Sequence, residues 1–230
     1  YSGFPMIRQA RAMIQKGDLG KLRMINIEMP QSSLASNTGD SWRQDPERVG
    51  PSLILMGLAT HLHHLMLYVS GLTVSEVFGD ASTGGPVDDN VSVLIRFKCG
   101  ARGLLWTSAA AIGNESGMRI RVFGDKGSLD WFEEEPNHLI VRPLGKPHIT
   151  YAKGGPDLYE EAHRGTRWGY PEGYIEAFAN IYCDIASAIE EHRNQGRRPV
   201  VVCSALAGVS DLLEGLLEAA CRGDHEPVLE

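Results

Sequence analysis

The sequence predicts an α+β fold: an open, predominantly antiparallel β-sheet with helices packed on one face. Three observations predict it. Apolar residues recur at helical spacing near the start of the chain, around residues 52–71, and again after residue 174. Between residues 72 and 152 the period changes to two, as where Val91, Val93, Ile95 and Phe97 alternate with Ser92, Arg96 and Lys98. The turns between these runs (Lys98-Cys99-Gly100, Gly124-Asp125-Lys126-Gly127, Glu135-Pro136-Asn137) are short. Short turns force antiparallel neighbours, because a parallel return needs a crossover of about a dozen residues or more. Helices flanking such a meander of six or seven strands define the α+β class. No repeat and no internal linker interrupts residues 1–230, which read as a single domain.

Taken in order, Pro5 suits the first position of a helix whose stripe is Ile7, Ala10 and Ile14, and Gly17 ends it. Lys21–Met29 reads as a strand apolar on both faces, and Pro30–Gly39 as a loop. A second helix runs from about Ser52 to Tyr68, with Leu58, Leu62 and Leu65 on its buried stripe and Gly71 placed to close it. After the strands, residues 151–171 carry four glycines, two prolines and no clear period, an unusually long loop of the kind that is often functional. Tyr174, Phe178, Ile181, Tyr182, Ile185 and Ile189 then mark a long amphipathic helix, and Ser204–Cys221 a final one.

Composition narrows the function. Lys+Arg 22 against Asp+Glu 29 gives a net charge of -7, which argues against a general nucleic-acid or anionic-membrane surface. No apolar run approaches the ~20 residues of a membrane span, and no signal-peptide pattern opens the chain. The sequence begins at Tyr1 and reads there as mid-protein. Cys99, Cys183, Cys203 and Cys221 form no CxxC pair, so buried or idle thiols in a reducing, cytoplasmic setting are expected.

The most reactive-looking stretch is the second helix, which carries His61, His63 and His64. His61 and His64 lie three apart and share a face, whereas His63 points elsewhere. An unperturbed imidazole titrates near ~6.5 and can exchange a proton with an alcohol or ketone near neutral pH. The competing reading is a helix histidine packed and hydrogen-bonded in the core. A zinc site is disfavoured, because His-Leu-His-His has neither an HExxH arrangement nor a CxxC partner, and no metal is expected.

Five pieces in this order resemble the C-terminal domain of the glucose-fructose oxidoreductase / inositol dehydrogenase / rhizopine catabolism (Gfo/Idh/MocA) family. They are Gly17-Asp18-Leu19-Gly20-Lys21, Trp42-Arg43-Gln44-Asp45-Pro46, Ala59-Thr60-His61, Val122-Phe123-Gly124-Asp125-Lys126-Gly127 and Pro171-Glu172-Gly173-Tyr174-Ile175-Glu176-Ala177-Phe178. The likeness covers nearly the whole chain. It implies an N-terminal Rossmann domain, absent from these residues, that binds NAD or NADP and brings a lysine to the active site. No GxGxxG after a strand occurs here, in agreement. The family's helix usually reads Asp-Ile-Gly-x-His; aligned on His61, the Asp position is Gly57 and the Gly position is Ala59. The histidine is kept and the carboxylate is not. His64 occupies the position three after the histidine, where the family often has an acidic or amide residue.

The resemblance implies the substrate-binding and oligomerisation domain of an NAD(P)-dependent dehydrogenase acting on a sugar, polyol or related secondary alcohol. His61 is then the catalytic residue beside the nicotinamide. Trp42 and Arg43 suit a polyol pocket, the ring stacking on C–H faces and the guanidinium donating to hydroxyls. His64, Trp168 and Tyr170 are the further candidates for substrate contact; an exposed helix partner and an ordinary ordered loop or intersubunit contact are the alternatives. The isolated chain is expected to be inactive. A non-catalytic carbohydrate-binding or assembly module on the same fold is the second reading, favoured by the loss at Gly57. Leu94 and Leu105 are expected on the open sheet face, where a homodimer or homotetramer would form.

Overall fold

Pro5 does open a helix, α1 (Pro5–Gln15), and Gly17 leaves it with φ 80°. The computed structural model describes residues 1–34, 45–50, 52–163, 165 and 169–199. Trp42, Arg43, Trp168 and the helix expected over Ser204–Cys221 lie outside the described residues. Two compact units are distinguished, Tyr1–Asp184 and Ile185–Glu230, and the whole sheet lies in the first. The remaining elements are β1 (Leu22–Pro30), α2 (Pro46–Val49), α3 (Thr60–Ser70), β2 (Val74–Ser82), β3 (Asn90–Phe97), β4 (Arg102–Ser108), β5 (Arg119–Gly124), β6 (Gly127–Phe132), β7 (His138–Pro143), β8 (Ile149–Ala152) and α4 (Tyr174–Asn194).

All eight strands join one open sheet in the order β2-β3-β4-β1-β5-β6-β7-β8. Every neighbouring pair is antiparallel except β1 and β4, which run parallel. The strand meander is therefore not continuous. β1 inserts between β4 and β5, and the connection between those two strands, residues 109–118, is long enough to step across it. Two of the glycine-rich turns meet at the start of β1. Lys21 N donates to Asp125 Oδ1 at 2.9 Å, and Lys126 N donates to Leu19 O at 3.0 Å. A Cβ on Gly124 would come within 2.0 Å of Leu19 O, so this approach requires glycine.

Register decides which side chains face the helices. Ile25 lies opposite Gly103 and Val122, and Ile27 lies opposite Leu105 and Ile120. Those side chains, with Leu129 and Trp131, pack against Ile7 and Ala10 of α1 and Leu62, Leu65 and Met66 of α3 in one core. Leu105 is buried in that core, which corrects its expected place on the open face. The two faces of β4 are both apolar in sequence, so only pairing with β1 and β3 fixes its parity. Leu94 pairs with Phe78 and Leu104 and is exposed on the open face, as expected. Beyond this apolar half the open face turns polar: Arg119 grips Asp130 through two hydrogen bonds of 2.8 and 2.7 Å, and Arg142 stands 3.4 Å from the same carboxylate. Cys99 and Cys183 are exposed, not buried.

Candidate functional site

The histidine helix starts on a cap that comes from a distant loop. Asp88 accepts from the Ser52 hydroxyl, from Leu53 N at 2.7 Å and from Ile54 N at 3.2 Å, while Ser52 Oγ accepts from Leu55 N at 3.0 Å. These bonds satisfy amides that a helix start otherwise leaves orphaned. The chain then makes a π-helical turn, Leu55–Ala59, before settling into α3. Such a wide turn inside a helix is frequent at functional sites. Leu62, Leu65, Met66 and Val69 bury one side of α3, and Gly71 closes it in the left-handed conformation at φ 66°.

That burial turns His61, His63 and His64 outward, and all three are exposed. His61 meets the ring of Tyr1 edge-on at 5.7 Å and 74°. Tyr1 in turn contacts Tyr174 at 5.6 Å, and Tyr174 contacts Phe178 at 4.9 Å, both edge to face. Solvent reaches the His61 imidazole, yet the surrounding atoms strip away enough water to lower its pKa. The shift favours the neutral ring, the form that can accept a proton. Burial raises the Tyr1 phenol to about 12, with Tyr174 and Glu133 adding to it and a hydrogen bond to Ser116 opposing it. Burial likewise raises the Glu133 carboxyl, against a hydrogen bond from the same serine.

The other sequence candidates fall in different places. His64 stacks on Tyr68 at 6.0 Å, and the Arg11 guanidinium lies 4.3 Å from the same ring. Its pKa is lowered by desolvation first, then by charge repulsion within this cluster of basic groups. Tyr170 sits beside the β7–β8 edge, its ring exposed and its carbonyl accepting from Lys153 Nζ at 2.8 Å. Among the described residues no group of three or more His, Cys, Asp or Glu is arranged to hold a metal ion. No described helix is long and apolar enough to cross a membrane.

Position 57 is open. A Cβ built on Gly57 meets nothing within 4 Å, and the residue borders a cavity of about 270 Å³ with Gln31, Leu34, Leu53, Leu58 and Ala109. A carboxylate here would stand one helical turn before His61.

Sequence reasoning missed Tyr1, the Asp88 cap and a buried ion pair. Lys153 Nζ lies 3.2 Å from Glu172 Oε1, the two side chains being 4% and 0% exposed. Asn180 Nδ2 donates to Glu172 Oε2 at 3.3 Å and to Gly3 O at 3.1 Å, and Asn137 brackets the Glu172 backbone with bonds of 3.0 and 2.9 Å. The signal available was the charged Glu172 at the mouth of an apolar helix. The stripe read as that helix's core face is in part exposed, since Tyr174, Phe178 and Tyr182 remain open to solvent.

Fold and site together give an open mixed sheet with helices on one face and an outward-facing histidine on one of them. Residues 7–130 match the GFO/IDH/MocA C-terminal domain, and the chain belongs to that family. The uncharacterized oxidoreductase YfiI of Bacillus subtilis (strain 168) is 34% identical over 203 residues, which cover 83% of this chain and 52% of that protein. A crystal structure of an inositol dehydrogenase homolog from Azotobacter vinelandii, complexed with NAD+, superposes with a TM-score of 0.78 at 32% identity, covering 85% of this chain and 54% of the other. An oxidoreductase from Sinorhizobium meliloti reaches 36% identity and a TM-score of 0.73, covering 97% of this chain and 60% of the other. The same Azotobacter homolog has been solved with NADH and myo-inositol, and a levoglucosan dehydrogenase, 26% identical, with NADH and levoglucosan. The chain thus spans about half the length of the relatives it matches.

Proposed function

We propose that residues 1–230 form the substrate-binding and oligomerisation domain of an NAD(P)-dependent dehydrogenase acting on a sugar, polyol or related secondary alcohol. The observation that carries it is His61: an outward-facing imidazole, its pKa lowered by desolvation, on a helix held by its buried stripe, its distal cap and its closing glycine. Relatives solved with NAD+, NADH, myo-inositol and levoglucosan support the substrate class and the cofactor. The start of α1 and the sequence motifs give no phosphate cradle for the cofactor. α1 begins on Pro5, which has no amide to donate, after an extended Phe4, and no strand–GxGxxG–helix unit occurs in the sequence. NAD or NADP is therefore assigned to the N-terminal domain expected in the full-length protein.

When bound there, the nicotinamide supplies the hydride acceptor or donor. The chain's own part is proton handling. His61 accepts the substrate hydroxyl proton at a ring nitrogen in oxidation and returns it in reduction, and α3 fixes the angle at which it does so. Trp42, Arg43, His64, Trp168 and Tyr170 remain proposed substrate contacts; for Tyr170 the support is an exposed ring beside the β7–β8 edge. The open sheet face, with Phe78 and Leu94 exposed, is proposed to pair with a second copy.

The second reading, a non-catalytic carbohydrate-binding or assembly module, draws on Gly57. The family's usual carboxylate is missing from a position that has room for it. The two are separated by following absorbance at 340 nm in full-length protein supplied with NAD+ or NADP+ and a panel of sugars and polyols. Substrate-dependent formation of NAD(P)H supports the dehydrogenase. Sugar binding without any turnover supports the module.

A further inference from the structure

Three aromatic rings stand in edge-to-face succession beside His61, and two of them are left nearly half exposed: Tyr174 at 45% and Phe178 at 43%. The turn that carries Tyr174 is tied down from beneath. Asn180 ties Glu172 to the Gly3 carbonyl, Lys153 neutralises Glu172, and Glu176 accepts from Gly173 N at 2.8 Å at the start of α4. The segment carrying Tyr1 and the turn carrying Tyr174 are thereby joined through one buried polar cluster. Ser116 and Glu133 add hydroxyl and carboxyl groups beside Tyr1.

We propose that Tyr1 and Tyr174, backed by Phe178, form an aromatic platform on which the C–H face of a carbohydrate stacks while its reacting hydroxyl points at His61. The assignment rests on the proton-handling reading of His61. A sugar presents one face of C–H groups and an equator of hydroxyls, and it needs a flat apolar wall with polar groups at the rim. The exposed face of Tyr174 supplies the wall, Tyr1 and Phe178 meet that ring at 67° and 69° and border it, and Ser116, Glu133 and the Tyr1 phenol supply the rim. The phenol keeps its proton at neutral pH and can donate to a sugar oxygen. Pre-organisation by the buried cluster spares the platform the entropy of ordering when substrate arrives.

The test uses full-length protein with NADH bound, and myo-inositol and levoglucosan as probes. Saturation-transfer difference NMR is run on protein with protonated and with ring-deuterated tyrosine, alongside titrations of Tyr1→Leu, Tyr174→Leu and Tyr174→Phe. At least one probe is expected to take up saturation at its C–H protons, and ring deuteration should reduce it. Each leucine variant should weaken binding roughly two- to tenfold, and Tyr174→Phe should restore it, because stacking needs the ring and not the hydroxyl. Tyr174→Leu keeps apolar bulk in an exposed helical position, so folding is preserved. Saturation indifferent to ring deuteration, its absence from both probes, or equal affinity in the leucine variants overturns the platform. His61→Ala separates the two ideas: full activity with ring-dependent binding intact removes the role of His61 and leaves the platform standing.

Discussion

Removing one partner of the Lys153–Glu172 pair is expected to destabilise the fold severely. In Lys153→Met the carboxylate of Glu172, fully buried, loses its cation and retains the Asn180 amide at 3.3 Å, while the Tyr170 carbonyl loses a donor at 2.8 Å. Breaking a buried pair this way costs about 3–5 kcal/mol, because the surviving charge stays desolvated. For a chain of this size each kcal/mol moves the midpoint by about 2–4 °C, so a fall of about 6–20 °C is expected. Glu172→Gln alone strands the ammonium and should also destabilise. The double variant, Lys153→Met with Glu172→Gln, removes both charges and should recover about 0.5–3 kcal/mol relative to the sum of the singles. Urea unfolding of the four proteins, read by circular dichroism, gives the cycle. Strictly additive singles, or a Lys153→Met variant as stable as wild type, would refute the claim that this pair holds residues 170–174 in place.

Other expectations concern the sheet face and the glycines. Leu94→Glu places a charge in the apolar half of the open face and should convert a dimer or tetramer to smaller species in analytical ultracentrifugation; Leu105→Glu, in the core, should instead lower stability by several kcal/mol, about 3 or more. A single-chain mass for wild type, unchanged by Leu94→Glu, would remove the oligomerisation role. Gly57→Asp meets open space and should leave stability within about 0.5 kcal/mol, whereas Gly124→Ala drives a methyl into the Leu19 carbonyl and should cost about 2 kcal/mol or more in thermal unfolding. Equal effects of the two would contradict the geometry. The chain on its own should bind neither NAD nor NADP, and micromolar binding by isothermal titration would overturn the assignment of the cofactor to the other domain.

Local signals were legible in the sequence, and pairings across distance were not. Pro5, Gly17 and Gly71 bound their helices by backbone chemistry that acts within a few residues. Period two identified strands, yet it could not say that β1 divides the meander, since a parallel pairing between residues 24–30 and 102–108 leaves no local trace. Parity failed at Leu105 for the same reason: with apolar residues on both faces, only register chooses. The π-helical turn before His61 follows a helix start whose first amides are capped by Asp88, 35 residues away from Leu53 in sequence. At the site, His61 stood out by residue type, and its outward orientation followed from the leucines around it. Tyr1 did not stand out, because an aromatic residue ahead of a helix is more often packing than chemistry. Trp42, Arg43 and Trp168 lie outside the described residues.

Whether His61 moves the substrate proton is read from steady-state kinetics of His61→Ala in the full-length protein. Loss of a general base lowers kcat by roughly 10²–10⁴-fold and leaves KM within a few-fold, since the interaction forms mainly in the transition state. In the wild type, oxidation should fall on the acid side as the imidazole protonates. Burial lowers its pKa, so that fall should lie below the ordinary histidine range, and it should vanish in the variant. A variant with wild-type kcat and an unchanged acid limb would return His61 to an ordinary helix-surface histidine.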